Sequence, residues 1–301
     1  MSAFIGVDWG TTNLRAWRLG ADGRVEAEME SPHGVRAIAQ NDFATMFHRD
    51  VHTPLGVELP VLMCGMVGSN LGWREAAYVA CPAGLNALAR ALTPVSDTPS
   101  IRIVPGLRCS GLTKAPDVMR GEETQILGWL ARDDARRRGR HLLCLPGTHS
   151  KWALLQEGEI QRFVTAMTGE LFAVLSTHSI LKAEPTAFNG DAFAAGVAAA
   201  GEGDALSIRM FSARARIVTA SANKQDASSY LSGLLIGSEV AAAPRALGVD
   251  HAGEIWVIGA PLLRERYVDA LTQRGWSVLE TDGAQAAIGG LAVLFREGAL
   301  Q

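Results

Sequence analysis

Asp8-Trp9-Gly10-Thr11-Thr12-Asn13 is the stretch of this chain whose residue types and spacing could do the most chemistry. An apolar run, residues 3–7, leads as a strand into a small, donor-rich turn with a carboxylate at its entrance. Backbone N–H groups and hydroxyls in such a turn can face phosphate oxygens, and the carboxylate can reach the accompanying cation, directly or through water. That is the chemistry of holding a metal-bound polyphosphate. Gly10, Thr11, Thr12 and Asn13 are the candidate phosphate donors, and Asp8 is the candidate metal ligand. Leu14, Ala16 and Arg18 then alternate with Arg15, Trp17 and Leu19, and Ala21-Asp22-Gly23-Arg24 turns the chain again, so the site is strand-turn-strand. Neither a Walker run opening a helix nor a dinucleotide G-x-G-x-x-G stands here.

The shape returns further along. Residues 142–145 are an apolar strand, Pro146-Gly147-Thr148-His149-Ser150 is a turn, and residues 151–155 resume the strand. A single hairpin of this kind could be an ordinary glycine turn; two of them imply two related halves. The first carries Asp8; the second has Leu145 at that place but offers Gly147, Thr148, Ser150 and Lys151 to phosphate. A third element, Glu254-Ile255-Trp256-Val257-Ile258-Gly259-Ala260-Pro261, reads as a buried strand entering a helix with Leu262, Leu263, Tyr267 and Leu271 on one face. Gly259 would let a purine or ribose approach the backbone, and the small-residue helix through residues 232–239 could flank the base.

This order of elements resembles the actin-like ATPase and sugar kinase superfamily over nearly the whole chain. Four blocks resemble the 2-dehydro-3-deoxygalactonokinase family within it. They are Asp8-Trp9-Gly10-Thr11-Thr12-Asn13-Leu14-Arg15-Ala16-Trp17, Cys64-Gly65-Met66-Val67-Gly68-Ser69-Asn70 with Gly72-Trp73, Met119-Arg120-Gly121-Glu122-Glu123-Thr124-Gln125, and Leu145-Pro146-Gly147-Thr148-His149-Ser150-Lys151-Trp152. The resemblance implies a two-lobed α/β fold of the actin-like (ribonuclease H-like) type, with duplicated sheet-and-helix halves and a nucleotide cleft between them. Residues 1–128 would form the N-terminal lobe, with the first phosphate hairpin and the sugar-acid site. Residues 129–301 would form the C-terminal lobe, with the second hairpin and the adenosine site. The implied activity is ATP- and Mg2+-dependent phosphorylation of the 6-hydroxyl of 2-dehydro-3-deoxy-D-galactonate, a step of galactonate degradation.

Such a kinase needs a carboxylate to orient the acceptor hydroxyl and take its proton. Glu122, opening a helix with Ile126, Leu127 and Leu130 on its apolar face, lies where glycerol kinase-like enzymes carry an aspartate after a glycine. Glu123 is the rival and Asp117 a third candidate; a bland alternative is that both glutamates only favour the helix N-terminus through its dipole. A sugar acid also needs a cation and hydroxyl-reading groups. The loop with Ser69, Asn70, Trp73 and Arg74 is favoured for acceptor binding, while Arg15, Arg74 and Arg120 stay open as the partner of the acceptor carboxylate.

Composition sets bounds on partners. With 301 residues, 48% hydrophobic content and 32 glycines, the chain can bury a large core and suits two lobes. A net charge of -3 gives no drive toward nucleic acid or an anionic membrane. No apolar stretch reaches membrane-span length, no basic region precedes the early apolar run, and a cytoplasmic enzyme is expected. The four cysteines, Cys64, Cys81, Cys109 and Cys144, include no C-x-x-C pair, so reduced thiols are expected. The expected partners are a small-molecule sugar acid and ATP; the oligomeric state stays open, a homodimer being one candidate.

Two other classes fit the phosphate hairpins. A phosphohydrolase of the same superfamily would activate water instead of sugar, and a nucleotide-switched interaction protein would couple slow hydrolysis to a protein partner.

The positioning elements can be read coarsely. Residues 59–64 and 101–105 read as buried strands, 85–92 as a short helix, and 192–200 and 284–294 as small-residue helices packed on a sheet. Residues 132–140, arginine-rich but interrupted by aspartates, read as an exposed helix end closed by Gly139.

Overall fold

The computed structural model describes residues 3–20, 22–95, 98–182, 187–201, 205–249 and 253–299. Its strands are β1 (Phe4–Trp9), β2 (Leu14–Leu19), β3 (Val25–Ser31), β4 (Val61–Gly65), β5 (Tyr78–Ala80), β6 (Thr93–Val95), β7 (Thr98–Ile103), β8 (Gly106–Ser110), β9 (Pro116–Met119), β10 (Arg140–Leu145), β11 (Ser150–Gln156), β12 (Glu159–Ala166), β13 (Glu254–Gly259) and β14 (Ser277–Asp282). Its helices are α1 (Phe43–Phe47), α2 (Thr53–Leu55), α3 (Leu85–Arg90), α4 (Glu122–Ala131), α5 (Thr168–His178), α6 (Gly190–Ala199), α7 (Leu206–Val218), α8 (Ala227–Ala246), α9 (Pro261–Gln273) and α10 (Gly283–Ala299). The turn expected over 21–24 is closed by the Gly20 N–H donating to the Arg24 carbonyl at 2.9 Å, with Ala21 outside the described residues.

The chain forms two compact units. The first comprises Met1–Arg140, Leu155–Arg162 and Thr281–Gln301; the second comprises His141–Leu154 and Phe163–Glu280. The division therefore differs from a single cut near residue 128. The reason lies in α10, which packs in the first unit on α4. A Cβ on Gly128 would fall 1.8 Å from the Ala286 carbonyl oxygen, and one on Gly290 would fall 1.9 Å from the Thr124 carbonyl oxygen. Glycines on both partners let the two backbones touch, a contact that larger side chains would forbid.

Each unit is built on a sheet of related order. In the first it runs β3-β2-β1-β4-β7-β6, with β2 antiparallel to both β1 and β3, β4 and β7 added parallel to β1, and β6 antiparallel to β7. In the second it runs β12-β11-β10-β13-β14, with β13 parallel to β10. Central strands between layers must be apolar on both faces. Accordingly Phe4, Ile5, Val7 and Trp9 of β1 and Leu142, Leu143, Cys144 and Leu145 of β10 are all buried. A small third sheet, β5-β8-β9, belongs to the first unit and leads directly into α4.

The second unit repeats the glycine device. In α6 and α8, a Cβ on Gly196 would meet the Tyr230 carbonyl oxygen at 2.2 Å, and one on Gly233 the Phe193 carbonyl oxygen at 2.0 Å. Leu262, expected on the buried face of α9, is instead 77% exposed in the helix's first turn, while Tyr267 and Leu271 are buried as expected. Cys64 and Cys144 are core residues, and all four cysteines are free thiols.

Gly290→Ala should force α10 off α4 and cost on the order of 1–3 kcal/mol, the usual penalty of an overpacked contact. A thermal midpoint unchanged from wild type would show that the helices can part without loss.

Candidate active site

The first hairpin is held by its acceptors. The carbonyls of Gly10, Thr11 and Thr12 accept from the N–H groups of Val35, Arg36 and Gly34 at 3.0, 3.2 and 3.1 Å, and Gly10 donates to the Asn13 carbonyl at 2.9 Å. The amides of Thr11 and Thr12 have no backbone partner among the described residues. A turn whose carbonyls are spent and whose donors are open favours an anion. Gly34 makes this possible, since a Cβ there would lie 2.3 Å from the Thr12 backbone.

Asp8 sits at the end of β1, in register with Arg15 on one side and Cys64 on the other. Arg15 donates to Asp8 Oδ2 at 2.8 Å, and its guanidinium lies 5.9 Å from the Trp17 ring centroid. Gly65, with φ +89°, borders the other carboxylate oxygen. A Cβ there would lie 2.7 Å from the Trp9 carbonyl oxygen and 3.3 Å from Asp8 Oδ1. Gly121 approaches in turn, its Cβ position 3.3 Å from Gly65 Cα, with φ +109°. Two glycines thus bring the N-terminus of α4 against the end of β1. Space kept clear beside a hard oxygen ligand suits Mg2+, which takes one or two carboxylates and completes its shell with phosphate and water.

At the start of α4 the two glutamates part company. Glu123 has no exposed surface; Gly121 N–H donates to both its carboxylate oxygens at 2.9 and 2.7 Å, and the Thr124 hydroxyl donates to Oε1 at 3.1 Å. Burial first, and the neighbouring Glu122 charge second, push its carboxyl from 4.5 up to about 7, although hydrogen bonds from its own backbone N–H and that of Gly121, and the Arg120 charge, pull the other way. Glu122 is only half-buried, and Oε2 accepts from the Arg120 N–H at 3.0 Å. Burial also pushes the Cys64 thiol up, followed by the charges of Asp8 and Glu123, which places both carboxylates around this strand end.

Arg120 is nine-tenths buried. Its Nη2 donates to the Ala76 carbonyl at 2.7 Å, its guanidinium stacks 4.3 Å from the Tyr78 ring centroid, and Nε and Nη1 have no hydrogen-bond partner. Tyr78 escapes a reading of sequence alone because the aromatic contact joins residues far apart in the chain. The acceptor-loop candidates divide similarly. Ser69 is buried, its hydroxyl donating to the Met66 carbonyl at 2.7 Å and accepting from Leu71 N–H at 3.3 Å, so it shapes the loop. Trp73 packs against Phe47, with ring centroids 5.4 Å apart. Asn70 and Arg74 are exposed. Gly72 is required because a Cβ there would lie 2.2 Å from the Val67 carbonyl oxygen.

In the second unit, Thr148 and His149 are exposed at the turn, and His149 Nε2 is hydrogen-bonded to Glu170. The Glu170 N–H donates to the Thr148 carbonyl at 3.0 Å, and a Cβ on Gly169 would lie 2.6 Å from the Gly147 carbonyl oxygen, so α5 packs directly under the turn. Ser150 is fully buried, bonded to Tyr267 Oη at 2.7 Å. Lys151 is also buried, and Nζ donates to Thr165 Oγ1 at 2.9 Å. Gly259 ends β13 with its carbonyl accepting from Arg264 Nη1 at 3.1 Å, and its Cβ position meets Pro146 only at ordinary contact distance. Glu239, beneath this turn, was not among the expected site residues; a lone glutamate in an apolar helical run was its one signal.

The family model described as 2-keto-3-deoxy-galactonokinase matches residues 8–294. The 2-dehydro-3-deoxygalactonokinase of Escherichia coli strain K12 is 36% identical over 291 residues, 96% of each chain. A crystal structure from Sinorhizobium meliloti, of a protein designated with the same activity, is 38% identical and superposes with a TM-score of 0.87, covering 97% of this chain and 98% of that one. A ROK family glucokinase from Streptomyces griseus, solved with glucose and AMPPNP, shares the fold at 12% identity and a TM-score of 0.50, covering 96% of this chain and 98% of that one.

The buried Glu123 generates a pH prediction. A carboxyl whose folded value lies above its unfolded one binds its proton more tightly when folded, so its contribution to stability is present at low pH and is lost as pH rises from 4.5 through about 7. Relative to Glu123→Gln, the wild type should lose on the order of 3 kcal/mol across that window. Parallel stability curves for the two proteins in denaturant between those pH values would overturn the assignment.

Proposed function

The chain belongs to the 2-keto-3-deoxy-galactonokinase family, and from that premise we propose that it transfers the γ-phosphoryl group of ATP to the 6-hydroxyl of 2-dehydro-3-deoxy-D-galactonate. The observation that carries the reading within this chain is the close approach of Gly121, the residue before Glu122, to Gly65 beside Asp8, where β1 and β4 end and α4 begins. Phosphoryl transfer asks little covalent chemistry of the protein and much positioning, so converging carboxylates beside an open set of amides are the parts it requires.

In this reading Thr11, Thr12 and Asn13 hold phosphate oxygens through their donors, Gly10 closing their turn through its bond to the Asn13 carbonyl, and Thr148 does so in the second hairpin, beside Gly147. Asp8 would hold the Mg2+ that arrives with ATP, which would supply charge neutralisation to the polyphosphate. Glu122 accepts the proton of the acceptor hydroxyl; its half-exposed carboxylate can meet a substrate, whereas that of Glu123 is enclosed and occupied by Gly121 and Thr124. Glu123 fixes the helix start that aims Glu122. Asn70 and Arg74 receive the sugar acid, with Arg74 as the partner of its carboxylate because Arg15 is committed to Asp8 and Arg120 is buried against Tyr78. Gly259 borders the adenosine. No helix among the described residues is long and apolar enough to cross a membrane, and the enzyme is read as acting in the cytoplasm on ATP and a small sugar acid, without nucleic acid.

ADP formation from Mg·ATP should be fast with 2-dehydro-3-deoxygalactonate and slow with its gluconate epimer, galactonate, glycerol or no acceptor. Turnover without acceptor would move the reading to a hydrolase, and a gluco preference would overturn the acceptor alone. Glu122→Gln should lower kcat by about 10²–10⁴ while both KM values stay close to wild type; near-normal turnover would remove Glu122 as the base. Arg74→Ala should raise the KM of the acceptor by roughly tenfold or more and leave that of ATP unchanged; an unchanged acceptor KM would make Arg74 structural.

A further inference from the structure

The second unit holds a buried carboxylate that the phosphoryl-transfer scheme above does not use. Glu239, in the middle of α8, is only 6% exposed. Its Oε1 accepts from Trp152 Nε1 at 2.7 Å, and its Oε2 accepts from Tyr267 Oη at 2.8 Å. The Thr168 hydroxyl also hydrogen-bonds to it. A carboxylate enclosed in this way costs stability unless donors surround it, and here the donors come from β11, α5 and α9.

These donors share a feature beyond burial. All stand under or beside the second hairpin. Ser150 and Trp152 alternate along β11 on the same face, directly after the turn. Thr168 opens α5, and the next residue, Gly169, supports the backbone of Gly147 and Thr148 from below. Since Tyr267 donates to Glu239, the hydrogen between Ser150 and Tyr267 must come from Ser150. Ser150 in turn accepts from Gly147 N–H at 3.4 Å. A one-way chain of donors therefore runs from Gly147 in the turn through Ser150 and Tyr267 to Glu239. Ending on a carboxylate, such a chain polarises each member and stiffens the whole.

The structure assigns Glu239, acting through Tyr267 and Ser150, as the positioning residue of the second phosphate hairpin, which it holds ready for the phosphates of ATP. The assignment rests on the reading of that hairpin as a phosphate site. It also gives Ser150 a different task from donating to phosphate: its hydroxyl faces inward and transmits the position of Glu239 to the turn. Burial pushes the Glu239 carboxyl up, and the hydrogen bonds from Thr168, Trp152 and Tyr267 oppose that push, as expected of a group whose enclosure is compensated by its donors.

The test uses the full-length enzyme with Tyr267→Phe, Ser150→Ala, the corresponding double variant, Glu239→Gln and Thr148→Val, reading KM for ATP, KM for the acceptor, kcat and the thermal midpoint of each. Tyr267→Phe and Ser150→Ala should each raise the KM for ATP about tenfold with the acceptor KM within about twofold of wild type, and the double variant should be no worse than the weaker-binding single, because both cut one chain. Glu239→Gln should share the effect; should it fail to fold, Tyr267→Phe, which removes one hydroxyl, decides. An ATP KM within about twofold of wild type in folded Tyr267→Phe and Ser150→Ala would overturn the assignment, as would additive effects on both substrates that track a fall in thermal midpoint. Thr148→Val separates the two levels. Unchanged ATP KM in that variant removes the hairpin as a phosphate site and the assignment with it, whereas a raised KM there beside an unchanged one in Tyr267→Phe removes the assignment alone.

Discussion

Close approach of backbone to backbone is the constraint on which the first unit's chemistry depends. Gly65 turns at positive φ against the Trp9 carbonyl, and Gly121 turns at positive φ against Gly65. Any side chain at either place would separate the end of β1 from the start of α4. The carboxylates of Asp8 and Glu122 would then lie on elements that no longer meet. The same helix touches α10 through Gly128 and Gly290 at its other end, so α4 is held along its length by contacts that only glycine permits. The cost of so many flexible residues in the unfolded chain is met by the large apolar core that surrounds them.

The two hairpins show how a duplicated scaffold can divide labour. On the first, the strand leaving the turn sends Arg15 back to Asp8, whose carboxylate stays partly exposed. On the second, Leu145 takes the place of that aspartate, and the strand leaving the turn sends Ser150 and Trp152 inward to Glu239. One copy displays its negative charge and the other encloses it. A displayed carboxylate can bind an ion, whereas an enclosed one can only organise the groups around it.

Much of this was legible in the sequence, for a physical reason. Strands that lie centrally in a sheet must be apolar on both faces, which is why residues 3–7, 59–64, 142–145 and 254–259 announced β1, β4, β10 and β13. The turns between strands carried their glycines and hydroxyls openly, and Glu122-Glu123 stood at a recognisable helix start. Contacts between distant segments were not legible. Arg120 stacking on Tyr78, Glu123 turning inward while Glu122 stays half-exposed, and Ser150 facing Tyr267 all depend on tertiary placement, and adjacent residues of one type give no hint of which is enclosed. The assignment of α10 to the first unit was hidden in the same way, since Gly290 reads as an ordinary small residue until Gly128 is seen opposite it.

That last arrangement bears on how the molecule is made. The second unit is an insertion, entered after residue 140 and left at Glu280, with only residues 155–162 returning to the first between those points. A chain emerging from the ribosome at about 5–20 residues per second presents β1 through α4 long before α10 exists. Until then the Gly128 face of α4 has no partner and the first sheet lacks one of its covering helices. The unit that begins first is thus completed last, and Glu122 and Glu123 acquire their final surroundings only when α10 has been synthesised and has docked.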